Sequence, residues 1–246
     1  MSATIDVTAP TKRILFVVAN PSTSTVTGWP VGFWWAELTH PYWEFVERGY
    51  EVTIASPDGG ALVADGYSDP EDPSAYSAHD LISLGFAKSP AHAALVADTP
   101  RLADVDLDAH HAVFLVGGQS PMFTFRHNTS VLEVVRHFFE ASKPTAVVCH
   151  ATCVLLDATT STGERIVDGR TWTGFANSEE AFADSFVGQR IQPFWIEDEA
   201  KAMPDTNFVV SGRFKAFAVR DGNLVTGQQQ YSGAAAARLV VEALGV

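Results

Sequence analysis

Cysteine is scarce. The chain has 246 residues and two cysteines. Two sulfurs cannot build a disulfide framework, and they are too few for a structural zinc cluster. Basic residues are also few, 16 Lys and Arg against 29 Asp and Glu, for a net charge of −13. A polyanion would be repelled and no Lys/Arg cluster offsets this, so nucleic acid is excluded as a partner. No apolar run approaches the ~20 residues that span a bilayer, which excludes a membrane role of that kind. The start, MSATIDVTAPTKR, lacks the apolar core of a secretory signal. A cytoplasmic, reducing compartment is the resulting expectation. Histidine is missing from the last 96 residues: none of the eight follows His150.

What is present reads as an α/β chain. With 46% hydrophobic and 18% charged residues it can bury a sizeable core. Residues 1–11 look like a loose tail, and 12–246 like one domain, since no repeat, linker or change of composition divides them. ILFVVAN (14–20), YEVTIAS (50–56), HAVFLV (111–116) and TAVV (145–148) are short apolar runs with β-branched residues. Such runs suit strands buried on both faces of a parallel sheet. Helical patterns fall at 33–48, interrupted near Pro41, around 91–98, at 130–142 and at 234–244. Residues 57–110 otherwise read as an irregular excursion. IVDG, TWTGF and NFVVSG read as strand-and-turn segments, and AFAVRDGNLVTG (216–227) as two strands about a turn. Strands alternating with helices predict an α/β fold with a mostly parallel sheet.

The segment AVVCHATCVLLDA (146–158) places Cys149 where the fourth strand ends and a helix is expected to begin at once. Ligands of open α/β sheets bind beyond the carboxyl ends of the strands. A sharp strand-to-helix turn would project the sulfur into that crevice, as in a nucleophile elbow. Helix N–H groups nearby favour thiolate, so the expected pKa lies below the free value of ~8.5. Cys153, one helical turn on, reads as core packing. Adjacency in sequence does not make a Cys–His pair of Cys149 and His150. The His150 N–H, one residue after the nucleophile, is as useful as its ring, because it could donate to an oxyanion.

Four segments carry a family resemblance: 27–60, AVFLVGGQSPMFTF (112–125), TAVVCHATCVLLDA (145–158) and NLVTGQQQYSGAAAARLVVEAL (223–244). Their order and spacing resemble the ThiJ/PfpI superfamily, which shares its fold with class I glutamine amidotransferases, in its longer heat-shock-chaperone/glyoxalase III-like branch. The resemblance implies a flavodoxin-like three-layer sandwich, its central sheet flanked by helices, and a homodimer with no metal and no organic cofactor, acting on a small-molecule substrate. It implies that Cys149 is the nucleophile and Glu37 the carboxyl group that bonds its sulfur. His150 is then the neighbouring histidine, and Gly118, beside Gly117, supplies a second oxyanion N–H. An acid that orients the histidine is implied in FANSEEAF, either Glu179 or Glu180.

The chain departs from the family at three turns. The usual GGHGPMWD is Gly117-Gly118-Gln119-Ser120-Pro121-Met122-Phe123-Thr124; His-Gly-Pro after the elbow is His150-Ala151-Thr152; GQNPASS is 227–233, which includes Tyr231. All three changes fall around the expected pocket, which with Trp34 and Phe123 nearby points to a larger, flatter substrate than methylglyoxal, or to a biosynthetic role. Two functions compete. One is a cofactor-independent cysteine enzyme acting on a carbonyl-type electrophile, a lyase or hydrolase of the glyoxalase III or hydratase type. The other is a non-enzymatic holdase chaperone or cysteine redox sensor. A glutamine amidotransferase would need a histidine far downstream of the cysteine, and the chain has none.

Overall fold

A computed structural model describes residues 11–245. The tail expected over 1–11 therefore falls, but for Thr11, outside the described residues. Six strands form the central sheet: β1 (Arg13–Val17), β2 (Glu51–Ala55), β3 (Ala112–Leu115), β4 (Thr145–Val148), β5 (Ala218–Asp221) and β6 (Leu224–Gly227). Their order is β2-β1-β3-β4-β6-β5. All neighbours run parallel except β5, which pairs antiparallel with β6. The sandwich expected from the sequence is thus the fold observed.

The apolar runs form strands because both of their faces are covered. Ile14, Phe16, Phe114, Ala146 and Val148 point into one core layer. That layer is closed by α1 (Trp35–Val46) and by the last helix, α7 (Gly233–Ala243). Leu15, Val17, Val113, Leu115 and Val147 point into the other, under α4 (Thr129–Glu140). Phe16 and Phe114 stack across adjacent strands at 5.0 Å. Asn128 caps α4 by accepting from Ser130 and Val131 N–H at 3.0 and 3.2 Å.

Pro41 does not interrupt the first helix. It lies within α1, where its ring packs against Gly233 closely enough that a Cβ there would come within 3.0 Å. The excursion of 57–110 holds two helices, α2 (Leu81–Lys88) and α3 (Pro90–Ala97). The apolar block LISLGFAK, with Gly85 inside it, hides α2 from its periodicity, although Asp80 caps it by accepting from Ser83 N–H at 3.1 Å. In the last third, α5 (Asn177–Val187) and α6 (Ile196–Ala202) form. Only two residues each of TWTGF and NFVVSG pair as strand, Thr171–Trp172 with Asn207–Phe208.

Removing the Phe114 ring leaves a cavity in the core layer it shares with Phe16. Phe114→Ala is expected to cost about 3–5 kcal/mol. A lowered urea midpoint with unchanged slope checks this, and an unmoved midpoint would show that this aromatic stack does not bear on stability.

Candidate active site

Cys149 is the first residue after β4, and its backbone is left-handed, with φ of 55°. A non-glycine residue held there costs of order 1–3 kcal/mol, which surrounding structure must hold in place. One such restraint is visible: the Thr152 hydroxyl donates to the Cys149 carbonyl at 2.6 Å. The segment that follows, Cys149–Leu156, winds as a 3₁₀-helix rather than the α-helix expected. The side chain is 3% exposed.

Glu37 comes to the sulfur from the first turn of α1, and Gly117 makes the approach possible. A Cβ at Gly117 would lie 2.3 Å from Glu37 Oε2 and 2.8 Å from Cys149 Cβ. At Gly118, with φ of 110°, a Cβ would strike the Trp34 nitrogen at 2.5 Å. The two glycines therefore let the end of β3, α1 and the elbow converge. Burial pushes the Glu37 carboxyl up to about 8. The Cys149 thiol and the Gly117 N–H pull the other way, but neither Glu37 oxygen has a partner in full hydrogen-bond geometry. Glu37 is accordingly an acid holding its proton at neutral pH. The same burial raises the Cys149 thiol, and a Glu37 carboxylate raises it further, while the His150 N–H favours the thiolate. This reverses the lowered thiol expected from a helix start. Glu37 and Cys149 are two buried groups too close for both to carry charge.

His150 turns back onto the cysteine beside it. Its Nδ1 lies 3.6 Å from the sulfur, and its Nε2 lies 3.0 Å from Glu180 Oε1. Phe175 stacks on the ring at 4.0 Å. Burial works against an imidazolium here, but Glu180, helped by Glu37, outweighs it and raises the pKa. The choice between the two glutamates is thereby made. Glu179 faces the other way: it accepts from Ala176 N–H at 3.0 Å, and from Phe214 N–H and Gln228 Nε2 at 2.9 Å each. As consecutive residues on α5 the two project in different directions, so only Glu180 reaches the histidine.

Asp65, which the sequence reading passed over, ties the site together. It is buried and accepts from Gly32 N–H at 2.8 Å and from Gln119 N–H at 2.7 Å. It thus joins the entry to α1 to the Gly117-Gly118-Gln119 turn. Burial raises its carboxyl to about 7, although those two N–H groups oppose the shift. No motif surrounds it, and its burial arises from loops distant in sequence.

Above the sulfur opens a cleft with about 710 Å³ of empty space, its mouth included. Cys149, His150, Glu37 and Glu180 line it, with Trp29, Trp34 and Gln119. Its walls come mainly from aromatics the sequence did not single out: Tyr67, Tyr76, Phe175, Phe182, Phe186 and Phe214. Three expected lining residues lie elsewhere. Ala151 points into the core, because the tight helical turn after Cys149 directs it there. Phe123 borders a separate hollow with Met122 and Arg126, carried there by the short turn Pro121–Thr124. Tyr231 faces a neighbouring groove beside His79 and Asp80. The buried Gln228 and Gln229 side chains bind backbone at 211 and 215, so that Gln230 and not Tyr231 faces the cleft. The Gly118 N–H has no partner among the described residues. Among them, too, no group of three His, Cys, Asp or Glu could hold a metal ion. No helix there is long and apolar enough to cross a membrane.

The chain is similar to proteins of known name. The chain is 23% identical to Glyoxalase 3 of Candida albicans over 94% of its own length and 98% of that protein. It is 27% identical to Deglycase PfpI of Pyrococcus furiosus, over 81% and 89%. The crystal structure of glyoxalase III from Candida albicans superposes with a TM-score of 0.78 at 21% identity, covering 94% of this chain and 97% of that one, a likeness of fold. Residues 31–243 match the DJ-1/PfpI family over most of the chain, from the loop before α1 to the end of α7, and the chain belongs to that family.

Proposed function

We propose that this chain is a cofactor-independent cysteine enzyme that converts α-oxoaldehydes to α-hydroxy acids. The observation that carries the reading is the convergence of Cys149, His150–Glu180 and a protonated Glu37 at the floor of one cleft. The names of the relatives, a glyoxalase and a deglycase, support the same class of carbonyl chemistry.

The steps follow from where protons sit. His150 Nδ1 takes the thiol proton, and Glu180 stabilises the imidazolium that results. The thiolate adds to the aldehyde carbon, and Glu37 gives its proton to the carbonyl oxygen. The free Gly118 N–H and the His150 N–H are the donors for negative charge developing there. Glu37, now a carboxylate, removes the proton from the hemithioacetal carbon. Delivery of that proton to the neighbouring carbon, with passage of the hemithioacetal hydroxyl proton to the neighbouring oxygen, leaves a 2-hydroxy thioester on Cys149. Water then breaks the C–S bond, releasing the hydroxy acid and restoring the thiol. The net change is addition of one water, with no external oxidant or reductant.

Cys149→Ser is expected to abolish turnover of an α-oxoaldehyde with an unchanged circular dichroism spectrum, and full activity in that variant would overturn the reading. The two glutamates separate by their roles. Glu180→Gln is expected to lower kcat by about a hundredfold, as a misaligned base would. Glu179→Gln, which loses a buried bonding network, is expected to lower the urea midpoint more than Glu180→Gln does.

Glu37 also leaves a mark on stability. Its pKa rises from the ordinary 4.5 to about 8 on folding. The folded protein holds that proton more tightly, so the contribution is full below pH ~4.5 and is lost as pH rises through about 8. Urea midpoints between pH 5 and 8.5 should fall more steeply for the wild type than for Glu37→Gln. Parallel curves would mean that the carboxyl is already ionised in the folded state.

A further inference from the structure

The cleft carries more recognition surface than a two-carbon electrophile can use. Tyr67, Tyr76 and Phe186 meet in a triangle, with ring centroids 5.9–6.1 Å apart. Trp34 meets Tyr76 edge to face at 6.1 Å. A methyl substituent would leave these walls facing water, whereas a flat ring would cover them.

The polar groups among those walls define the rest of the ligand. Gln192 is 2% exposed and lines the cleft, yet its Oε1 has no hydrogen-bond partner. Its backbone is held in place: Arg190 Nε donates to the Gln192 carbonyl at 3.0 Å, and the Ile191 N–H donates to Asp184 at 2.9 Å. A buried acceptor left unpaired is costly, and a ligand donor would satisfy it. Gln119 Oε1, also on the lining, is likewise unpartnered. The lining includes no lysine or arginine, and its one basic side chain, His150, is already bonded to Glu180. An anionic substituent would therefore enter without a counter-charge.

We propose that the cleft selects α-oxoaldehydes whose substituent is a neutral aromatic ring bearing a hydrogen-bond donor, with Gln192 as the acceptor that reads the donor. This rests on the cysteine-enzyme reading of Cys149.

Steady-state kinetics with 4-hydroxyphenylglyoxal, phenylglyoxal and methylglyoxal test it. The kcat/KM values should fall in that order, by about tenfold or more at each step. Gln192→Leu should bring the ratio of the first two to about one, through KM, while the preference of aryl over methyl persists. Methylglyoxal turned over as well as the aryl compounds would overturn the proposal and leave the enzyme reading standing. An equal loss on both aryl substrates in Gln192→Leu would overturn the assignment of the acceptor. Turnover of none of the three would overturn the enzyme reading itself. Binding then decides the selectivity separately. Saturable quenching of Trp29 and Trp34 fluorescence in Cys149→Ala by 4-hydroxyacetophenone, weakened by Gln192→Leu, would uphold the pocket's preference. Quenching that does not saturate would overturn it.

Discussion

The site depends on one close approach, that of a carboxyl group to a cysteine across a glycine. Glu37 and Cys149 come from elements 112 residues apart, and they meet because Gly117 has no side chain between them. Enclosed together, the two cannot both be anionic. Coulomb repulsion and the loss of water each penalise the doubly charged state, so the pair keeps at least one proton through the neutral range. An acid kept protonated beside a nucleophile is useful chemistry, since it can release its proton when charge arises on a neighbouring oxygen. The buried cysteine, whose thiol would by itself be inert, thus draws the reactivity proposed for it from what surrounds it.

Holding that approach in place falls to groups that never touch a substrate in the proposed mechanism. Asp65 accepts from two loop N–H groups and joins the start of α1 to the Gly117-Gly118-Gln119 turn. The Thr152 hydroxyl restrains the left-handed turn at Cys149. On the far wall, Glu179 binds the backbone at 176 and 214 and the Gln228 side chain, which fixes α5 and with it the direction of Glu180. Preorganisation of this kind is what lets a site act without moving its own dipoles during reaction.

Much of this was legible in the sequence, for identifiable reasons. Strands β1, β3 and β4 announce themselves because both faces are buried, so nearly every position is apolar and no alternation is needed to read them. Cys149 and Gly117-Gly118 lie at strand ends, where topology alone predicts a ligand crevice. Glu37 and His150 were identified through the resemblance, which the family match bears out at the level of the fold. What escaped notice is non-local. Asp65 is an ordinary aspartate until two distant loops enclose it. Tyr67, Tyr76 and Phe214 belong to excursions with no strand or helix signal strong enough to say which way they face, and Phe182 and Phe186 lie on α5, where the short pattern NSEEAFADSFV does not say which side meets the cleft. Phe123, Ala151 and Tyr231 illustrate the converse: nearness in sequence to a catalytic motif does not place a side chain in the site, because one residue of turn reverses its direction.

The aromatic walls also bear on why the surrounding turns differ from the family pattern while the reactive groups match it. The Gly-Gly turn has a glutamine where the pattern has histidine, and Gln119 both anchors through its N–H to Asp65 and faces the cleft with its side chain. Replacing an ionisable ring with an amide at that position removes a charge without removing hydrogen-bonding capacity. Gln192 and Gln230 are likewise amides on the lining. An amide can bind a polar ligand atom while leaving the proton balance of Glu37, Cys149 and His150 undisturbed. A cysteine site with three coupled titratable groups tolerates neighbours of this kind better than further acids or bases, each of which would shift all three pKa values at once. In the proposed mechanism recognition and proton chemistry are divided between different residue types, amides and aromatic rings for the first, Cys149, His150, Glu37 and Glu180 for the second. Such a division would let the walls select the substituent without retuning the groups at the floor.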